Sequence, residues 1–291
     1  MTELTRNRFR LIHRLRVRWA EVDLQRIVFN PHYLTYIDTA FTEYWRAMAI
    51  PYESIPSQLG GDLYVKKSTL EYHASARLDD LLDVGIQCGR IGNSSMLFHA
   101  GIFRDDRLLV SGELVYVFAD PATQTSRPVP EALREMLQSY EAGASPIEVR
   151  VGSWAELGAQ ASAVRREVFI DEMGIDHVLD ADADDATAVH VLVRNRMGQP
   201  MATARLVQEG PELARIARVA VSRTMRSTGF GRTVMQALMQ LAAERGDTRV
   251  LVQSQCSAEG FYTRLGFNPI GEPYDEAGVP HIDMARRIGA L

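Results

Sequence analysis

The residues best suited to chemistry in the second half of the chain form a glycine-containing loop. The sequence Arg226-Ser-Thr-Gly229-Phe-Gly231 follows the strand-like run Arg218–Val221 and directly precedes a helical pattern. Glycines let backbone amides turn towards one point, and the N-terminus of the next helix adds partial positive charge. These groups together predict a pyrophosphate site, although Gly-x-Gly alone also fits a plain tight turn between a strand and a helix.

A second candidate is a carboxylate placed shortly before a helix start in the first half of the chain. Asp23 lies seven residues before Asn30. Asn30 is of a type that caps helices, and Pro31 suits the first helical position. A helix N-terminus presents unpaired amides and a dipole that favours negative charge. A loop of this length can fold the carboxylate of Asp23 over those amides.

One long helix and a series of strands are predicted to position Asp23. Apolar residues recur at helical spacing after Pro31, namely Leu34, Ile37, Phe41, Trp45 and Met48. Strand-like runs follow at Leu63–His73, Leu82–Arg90, Ser95–Arg104 and Leu108–Ala119. A long helix beside consecutive strands predicts an α+β domain in which an antiparallel sheet wraps around the helix.

The second half mixes strands and helices around the glycine loop. His190–Val193 and Pro200–Gln208 are predicted to form a hairpin, and Arg215–Val221 a further strand. The helix after the glycine loop ends at Gly246, and Arg249–Gln253 is the short apolar run of a buried parallel strand. A strand, loop, helix and strand in this order typically bind a phosphate-bearing cofactor.

A change of pattern between the halves marks a domain boundary. Turn-forming residues fill positions 119–130, a short helical pattern follows, and Glu141–Pro146 is a small polar linker. The chain contains no internal repeat. We therefore expect two different folds, one in residues 1–141 and one in residues 147–291.

Composition limits the functional classes. A net charge of −5 and a pI near 5.8 argue against a general nucleic-acid binder, which is normally basic. No apolar run approaches the roughly 20 residues of a membrane helix, and two cysteines, Cys88 and Cys256, make no disulfide framework. The seven histidines form no recognisable metal-ligand cluster. We expect a cytoplasmic protein without a metal and without nucleic-acid or membrane partners.

The glycine loop resembles that of the GNAT N-acetyltransferases, in which an Arg/Gln-x-x-Gly-x-Gly/Ala loop holds the pyrophosphate of acetyl-CoA. A second family landmark, Phe261-Tyr262-x-x-x-Gly266-Phe267, stands further along the chain. The resemblance extends from about residue 150 to the end and includes an ElaA-like C-terminus. It implies a mixed central sheet flanked by helices, with acetyl-CoA as a substrate. It also implies that Tyr262 protonates the departing thiolate, although Tyr262 equally fits a core aromatic residue.

The same resemblance implies a set of residues that bind acetyl-CoA, partly through main-chain donors of the strand: Val219, Val221, Arg226, Ser227, Thr228, Gly229, Phe230 and Gly231. It leaves the amine acceptor undetermined, whether a small molecule or a protein. Glu172 or His281 could deprotonate that amine, and each equally fits a structural role. The loop lacks the Lys-Ser/Thr that follows the glycines of a Walker-type nucleotide site.

The run from Arg18 through Asp23 to Leu34 resembles the hotdog-fold thioesterases of the 4-hydroxybenzoyl-CoA and YbgC/FadM type. The resemblance spans about residues 10–135. It implies that Asp23 activates water or attacks the thioester carbonyl, and that the Asn30 amide helps to bind the oxyanion. It also implies a site shared between subunits, hence at least a homodimer, with a homotetramer as the usual larger assembly.

One position departs from the hotdog pattern. Arg26 stands where family members commonly have glycine beside the thioester. It could reshape the site, pair with Asp23 and tie up its carboxylate, or point to solvent. Asp23 would then be either a catalytic group or an ion-paired or helix-capping residue. His32 and Tyr33 could contact substrate, although a histidine at a helix start is more often a surface residue.

Two charged runs have alternative interpretations. Between Arg6 and Arg18 arginines alternate with apolar residues, which predicts a strand. Its charged face could be a patch for an anionic ligand or membrane surface, or a solvated sheet face. The acidic run Asp180–Asp185 lacks the glycine and glutamate of an EF-hand loop, so calcium is rejected. It fits a solvated loop, or a pocket wall that attracts a cationic amine.

Two functions therefore remain as hypotheses. In the first, the chain is a bifunctional enzyme whose N-terminal half hydrolyses an acyl-CoA and whose C-terminal half transfers acetyl from acetyl-CoA to an amine. In the second, one domain is a non-catalytic acyl-CoA-binding or oligomerising module. Arg26 makes the hotdog half the better candidate for that role.

Overall fold

The structure is a computed structural model that describes residues 4–175, 182–276 and 278–289. Its contacts divide the chain into two units, Met1–Pro146 and Ile147–Leu291. Each unit has its own sheet, with five strands in the first and seven in the second.

The first unit is an antiparallel sheet with a long helix, α1 (Pro31–Ala47), packed on one face. The strand order is β1-β3-β4-β5-β2. The strands are β1 (Leu11–Arg16), β2 (Asp62–Tyr72), β3 (Leu81–Ile91), β4 (Ser95–Arg104) and β5 (Arg107–Ala119). Two further helices are α2 (Ile55–Leu59) and α3 (Glu131–Glu141). This arrangement confirms the predicted hotdog fold of a sheet around a helix.

The core of the first unit is an aromatic face of α1. Its buried residues are Tyr33, Tyr36, Ile37, Ala40, Phe41, Tyr44 and Trp45. Phe41 stacks on Tyr116 of β5, with 4.2 Å between the ring centroids. Leu34, predicted for this face, is 38% exposed. The reason is that the buried stripe runs through Tyr33 and Ile37, which turns Leu34 outwards.

Two local predictions for the first unit are wrong. The N-terminal strand covers only Leu11–Arg16, because Arg6–Arg8 form a 3-10 turn and Phe9 packs over a glycine of β3. A Cβ atom added at that glycine, Gly85, would lie 2.3 Å from the Phe9 ring. Asn30 makes no side-chain capping bond, since its backbone is already helical (φ −51°, ψ −35°) whereas a capping residue is extended.

The second unit is a mixed sheet in the order β11-β12-β10-β9-β8-β7-β6. Strands β9 and β10 run parallel, and the other neighbours run antiparallel. The strands are β6 (Ile147–Gly152), β7 (Val189–Asn195), β8 (Pro200–Gly210), β9 (Leu213–Val221), β10 (Arg249–Gln255), β11 (Asn268–Glu276) and β12 (Val279–Arg287). The helices are α4 (Trp154–Arg165), α5 (Phe230–Arg245) and α6 (Glu259–Arg264), and a π-helical segment, Arg166–Glu172, follows α4. This is the predicted GNAT arrangement.

Helices α4 and α5 cover opposite faces of the second sheet. Arg286 of β12 donates to the sulfur of Met239 in α5, which places this side chain on the α5 face. On the other face, the Trp154 ring of α4 lies 4.9 Å from the His190 ring of β7. No described helix is long and apolar enough to cross a membrane.

Candidate active sites

Two parallel strands of the second unit diverge at a fork, and this leaves backbone hydrogen-bonding groups along one edge without a neighbouring strand. Strands β9 and β10 pair only over Leu213–Ile216 and Arg249–Val252 within the described residues. Beyond this point β9 continues beside β8 alone, through an irregularity at Arg218, whose φ is +53°. Peptide groups along the free edge, in the segment that contains Val219 and Val221, can therefore hydrogen-bond an extended ligand.

The predicted glycine loop directly follows this fork. Ser227 (φ +66°) and Gly229 (φ +98°) lie in the left-handed region, and α5 begins at Phe230. The first amides of a helix have no intrahelical acceptor and bind anions readily. Gly231 is confined, because an added Cβ would lie 3.2 Å from the Phe261 ring. The Thr228 hydroxyl donates to a carbonyl of the preceding turn at 2.6 Å, so the loop is held in this form.

Arg226, predicted to bind the cofactor, forms a bidentate ion pair with Glu172. Its Nη1 and Nη2 atoms lie 2.7 and 2.6 Å from the two carboxylate oxygens of Glu172. These hydrogen bonds lower the pKa of Glu172, which makes its carboxylate a weaker base. Of the two roles considered for Glu172, the geometry favours the structural one.

Tyr262 is 7% exposed on α6. Its ring lies 5.0 Å from that of Phe261 and 6.0 Å from that of Phe267, measured between centroids. Burial raises the pKa of Tyr262 to about 12, so the phenol keeps its proton at neutral pH. A protonated phenol can act as an acid towards a thiolate, and the ring contacts equally fit the other predicted role of a core aromatic residue.

A cavity of about 270 Å³ opens where β9 and β10 part. Its walls include charged and amide side chains on the face opposite α5, and the lining residues are Glu209, Arg215, Leu251, Val252, Gln253, Ile270 and Asp283. Asp283 accepts a hydrogen bond from the Tyr274 hydroxyl at 2.9 Å. Burial and this contact raise the pKa of Tyr274 to about 12. Both groups were absent from the predicted site, although the sequence places both in the ElaA-like C-terminus.

His281 lies in the same sheet, opposite Gln255 in the β10–β12 ladder. Its Nδ1 atom is 2.8 Å from the Val279 carbonyl oxygen. A carbonyl only accepts, so Nδ1 is the donor in this contact, and Nε2 lies 3.9 Å from a carboxylate oxygen of Glu276. These contacts fit the predicted structural role of His281, and a role as the amine-deprotonating group stays a prediction.

The described part of the acidic run forms an ion-pair network. Asp182, Asp184 and Asp185 are bound by arginines of α4, β8 and β9, namely Arg165, Arg205, Arg215 and Arg218. Asp180, where the predicted run begins, lies outside the described residues. Asp182 is exposed and Asp184 partly exposed, as in a solvated loop, whereas Asp185 is buried. The bound guanidinium groups compensate all three charges, which argues against an amine-attracting wall.

In the first unit, Asp23 opens a tight turn that leads to α1. The Asp23 amide donates to the Ile27 carbonyl, and the Asp23 carbonyl accepts from the Arg26 amide, both at 2.9 Å. The carboxylate Oδ1 accepts from the Gln25 amide at 2.8 Å. No described residue binds Oδ2, so one oxygen of a partly exposed carboxylate is available.

Arg26 adopts a left-handed backbone, with φ +62°. Its side chain is exposed and makes no ion pair with Asp23 in the ranges that the structure covers. Of the three predicted alternatives, the structure therefore has the one in which Arg26 points to solvent. Glycine suits this backbone better than any L-residue, because it has no Cβ to clash.

At the start of α1, the backbone amide of Asn30 is a hydrogen-bond donor without an acceptor among the described residues. Pro31 has no N–H group, the His32 amide donates to the Phe29 carbonyl, and the Tyr33 amide donates to the Asn30 carbonyl. Within the described residues no acceptor is found for the Asn30 amide. A free amide at a helix N-terminus is the kind of donor that binds an oxyanion.

Glu21 holds this helix start in place, and the sequence prediction missed it. The Phe29 amide donates to the Glu21 carbonyl at 2.9 Å. The buried Glu21 carboxylate accepts from Arg18 and from the Tyr36 hydroxyl, each at 2.7 Å. Burial alone would raise the pKa of Glu21, but these hydrogen bonds prevail and lower it. An acid two residues before Asp23 was the signal available in the sequence.

Tyr33 and the alternating arginines have structural roles in the first unit. Tyr33 is 3% exposed and its hydroxyl accepts from the Ala76 amide at 2.8 Å, so it does not reach substrate from this unit. His32 is half-buried at the helix start. The alternating arginines are bound by acids, namely Arg6 and Arg14 by Asp83, Arg16 by Asp79 and Arg18 by Glu21. Acidic residues of the same unit therefore compensate most of this positive charge.

No group of three or more His, Cys, Asp or Glu side chains is placed to hold a metal ion in the residues covered by the structure. The two cysteines, Cys88 and Cys256, are free.

Comparison with known proteins gives two family matches. Residues 155–288 match the acetyltransferase (GNAT) domain, and residues 25–111 match the thioesterase superfamily. The UPF0039 protein sll0451 of Synechocystis sp. is 35% identical over 130 residues, which cover 43% of this chain and 83% of that protein. Protein ElaA of Escherichia coli is 31% identical over 132 residues, 43% of this chain and 84% of that protein. A thioesterase from Thermus thermophilus, solved with coenzyme A and Zn, is 23% identical with a TM-score of 0.42, covering 46% of this chain and 96% of that one.

Proposed function

Because the chain belongs to the GNAT acetyltransferase family through its C-terminal unit and carries a thioesterase-superfamily domain at its N-terminus, we propose that it is a bifunctional enzyme of coenzyme A thioesters. The N-terminal unit hydrolyses an acyl-CoA, and the C-terminal unit transfers acetyl from acetyl-CoA to an amine. One observation in each unit carries the proposal. In the N-terminal unit the start of α1 follows the turn that holds Asp23, and in the C-terminal unit the start of α5 follows the fork between β9 and β10.

In the hydrolase, the thioester carbonyl lies between Asp23 and the start of α1. The Asp23 carboxylate either activates a water molecule or attacks the carbonyl carbon itself. The carbonyl oxygen gains negative charge as the tetrahedral centre forms, and the free amide of Asn30 stabilises it. Collapse of this centre breaks the carbon–sulfur bond and releases the CoA thiolate. Where water attacked, the free acid remains; where Asp23 attacked, a water molecule hydrolyses the acyl anhydride and restores the carboxylate.

In the acetyltransferase, the glycine loop binds the pyrophosphate and the free edge of β9 binds the pantetheine arm. The amine attacks the acetyl carbonyl directly, and its proton passes to His281 Nε2, through solvent where needed. The tetrahedral centre then collapses to an amide and the CoA thiolate. Tyr262 protonates that thiolate.

The acceptor binds in the 270 Å³ cavity at the fork. Asp283 places a carboxylate there, beside the hydroxyl of Tyr274. Arg215, the cation of this cavity, is already bound to Asp184 at 3.0 Å and to Glu209. The remaining charge favours an acceptor that arrives as an ammonium ion, whether on a small molecule or on a protein.

The hydrolase works as a homodimer or homotetramer formed by the N-terminal unit. Large apolar side chains around the start of α1 are exposed in the single chain: Trp19, Leu24, Phe29 and Leu34. Such a patch marks an interaction surface. A cytoplasmic location stays a prediction from the two free cysteines.

One observation favours a second function for the N-terminal unit. Arg26 occupies the left-handed position where related hotdog enzymes commonly have glycine beside the thioester, and its exposed charge alters the surface next to Asp23. The unit would then bind acyl-CoA or hold subunits together without hydrolysis.

A thiol-release assay separates the two functions. Acyl-CoAs from acetyl to long-chain are added without amine to the wild type, to Asp23→Ala and to Asp106→Asn, a control that removes an exposed charge from the β4–β5 hairpin. A hydrolase turns over at least one acyl-CoA, loses this with Asp23→Ala and keeps it with Asp106→Asn. Failure of the folded wild type to release thiol from any of the acyl-CoAs would instead favour the non-catalytic role.

A further inference from the structure

A cavity of about 530 Å³ lies at the end of the C-terminal sheet where β10 begins and β12 ends. It is lined by Arg249, Gly266, Asn268, Ala285, Arg286 and Arg287. Three of these six residues are arginines and none is acidic, although the chain as a whole carries a net charge of −5. The acetyl-CoA loop and the acceptor cavity do not use it.

Two of the arginines oppose each other directly. Arg249 and Arg287 are partners in the antiparallel ladder of β10 and β12. Like charges in directly opposite positions repel and weaken a sheet. Both side chains are exposed, and neither has an ion pair with any described residue. Elsewhere in this unit, by contrast, Arg205 and Arg215 are each bound by acids.

The third arginine adds a fixed charge to the cavity. Arg286 Nη1 donates to the Leu265 carbonyl at 2.5 Å and to the Met239 sulfur at 3.4 Å. Neither acceptor carries a negative charge. Arg286 therefore keeps its positive charge at the same end of the sheet, on the α5 face, whereas Arg249 and Arg287 lie on the opposite face.

We propose that this cavity binds a soluble phosphate monoester between Arg249 and Arg287. A guanidinium group matches two phosphate oxygens at once, and a dianion between two such groups converts their repulsion into attraction. Arg249 is the first residue of β10, and β9 and β10 part after Val252, which puts Arg249 about 10 Å along the strand from the fork. The site is therefore separate from the one proposed for the pyrophosphate of acetyl-CoA.

Calorimetric titration of the full chain with inorganic phosphate and with glycerol 3-phosphate tests the proposal. Saturating CoA is present throughout, so that the glycine loop is occupied. We expect one site per chain, and binding at least about tenfold weaker in the double variant Arg249→Gln/Arg287→Gln. Arg150→Gln, which removes an exposed positive charge from β6, should bind as the wild type does.

Thermal unfolding distinguishes a loss of phosphate binding from a loss of folding in the double variant. Without phosphate the double variant should melt at or above the wild-type temperature, because repulsion has been removed. Phosphate should raise the melting temperature of the wild type and of Arg150→Gln but not that of the double variant. Equal binding by the double variant, no binding by the wild type, or binding only to phosphatidate vesicles would each overturn the proposal.

Discussion

Tyr262 is the residue whose surroundings bear most directly on acetyl transfer. Burial against Phe261 and Phe267 raises the pKa of Tyr262 to about 12, above the usual value near 10. The proposed acid therefore keeps its proton over the whole range in which the amine is reactive.

Tyr262→Phe should lower kcat for acetyl transfer by about 100-fold, because it removes the proton and keeps the ring packing. The KM for acetyl-CoA should change little. Steady-state kinetics measure both, and the wild-type pH profile should show no loss near pH 10, where an ordinary tyrosine ionises. An unchanged kcat would make Tyr262 a core residue only.

The left-handed backbone of Arg26 lowers the stability of the N-terminal unit. Replacing Arg26 with glycine should raise the free energy of unfolding of that unit by about 1 kcal/mol, because glycine has no Cβ to clash at φ +62°. Arg26→Ala removes the same charge but keeps the strain, so it should give no such gain. Denaturant unfolding of the two variants compares them, and equal stabilities would show that the backbone strain is unimportant.

At the scale of elements, buried ion pairs join α4 to the central strands of the C-terminal unit. Asp185 is 4% exposed and is held by Arg165 and Arg205. Burial alone would raise the pKa of Asp185, but the hydrogen bonds from both arginines prevail and lower it. A lowered pKa in the folded state stabilises the fold above the unfolded value near 3.9.

Asp185→Asn should destabilise the C-terminal unit by about 3–5 kcal/mol, because it leaves buried guanidinium groups without their counter-charge. Asp184→Asn, at a more exposed site, should cost much less. Wild-type stability should fall as the pH drops below about 4, through the lowered pKa of Asp185, and the variant should lose this dependence. Urea unfolding from neutral pH down to about pH 3 measures it, and parallel curves would refute the role of this network.

The sequence predicts elements well where the signal is local. The glycine loop, the helix after Pro31 and the strand runs are all set by neighbouring residues, and the structure has them close to the predicted positions. Pairings such as Arg226 with Glu172, 54 residues apart, depend on how distant elements meet, so no local pattern reveals them. The prediction that Asn30 caps the helix was wrong for a related reason. After the turn at Asp23–Arg26, the backbone of Asn30 is already helical, which a local pattern does not reveal.

At the scale of the whole molecule, the division after Pro146 predicts two independently stable parts. Arg10 donates to the carbonyls of Tyr140 and Ala144, which binds the end of α3 to its own sheet. Residues 1–146 and 147–291, expressed separately, should each unfold cooperatively. Thermal unfolding by circular dichroism checks this, and a fragment without a cooperative transition would contradict it.

The central claim is that one chain carries two separate active sites. Thiol release without amine and acetyl transfer with an amine acceptor should be measured side by side on the wild type, Asp23→Ala and Tyr262→Phe. The account predicts that Asp23→Ala loses hydrolysis and keeps transfer, whereas Tyr262→Phe loses most transfer and keeps hydrolysis. If one substitution removes both activities while the protein stays folded, or if Asp23→Ala hydrolyses acyl-CoA like the wild type, the claim of two separate sites is contradicted.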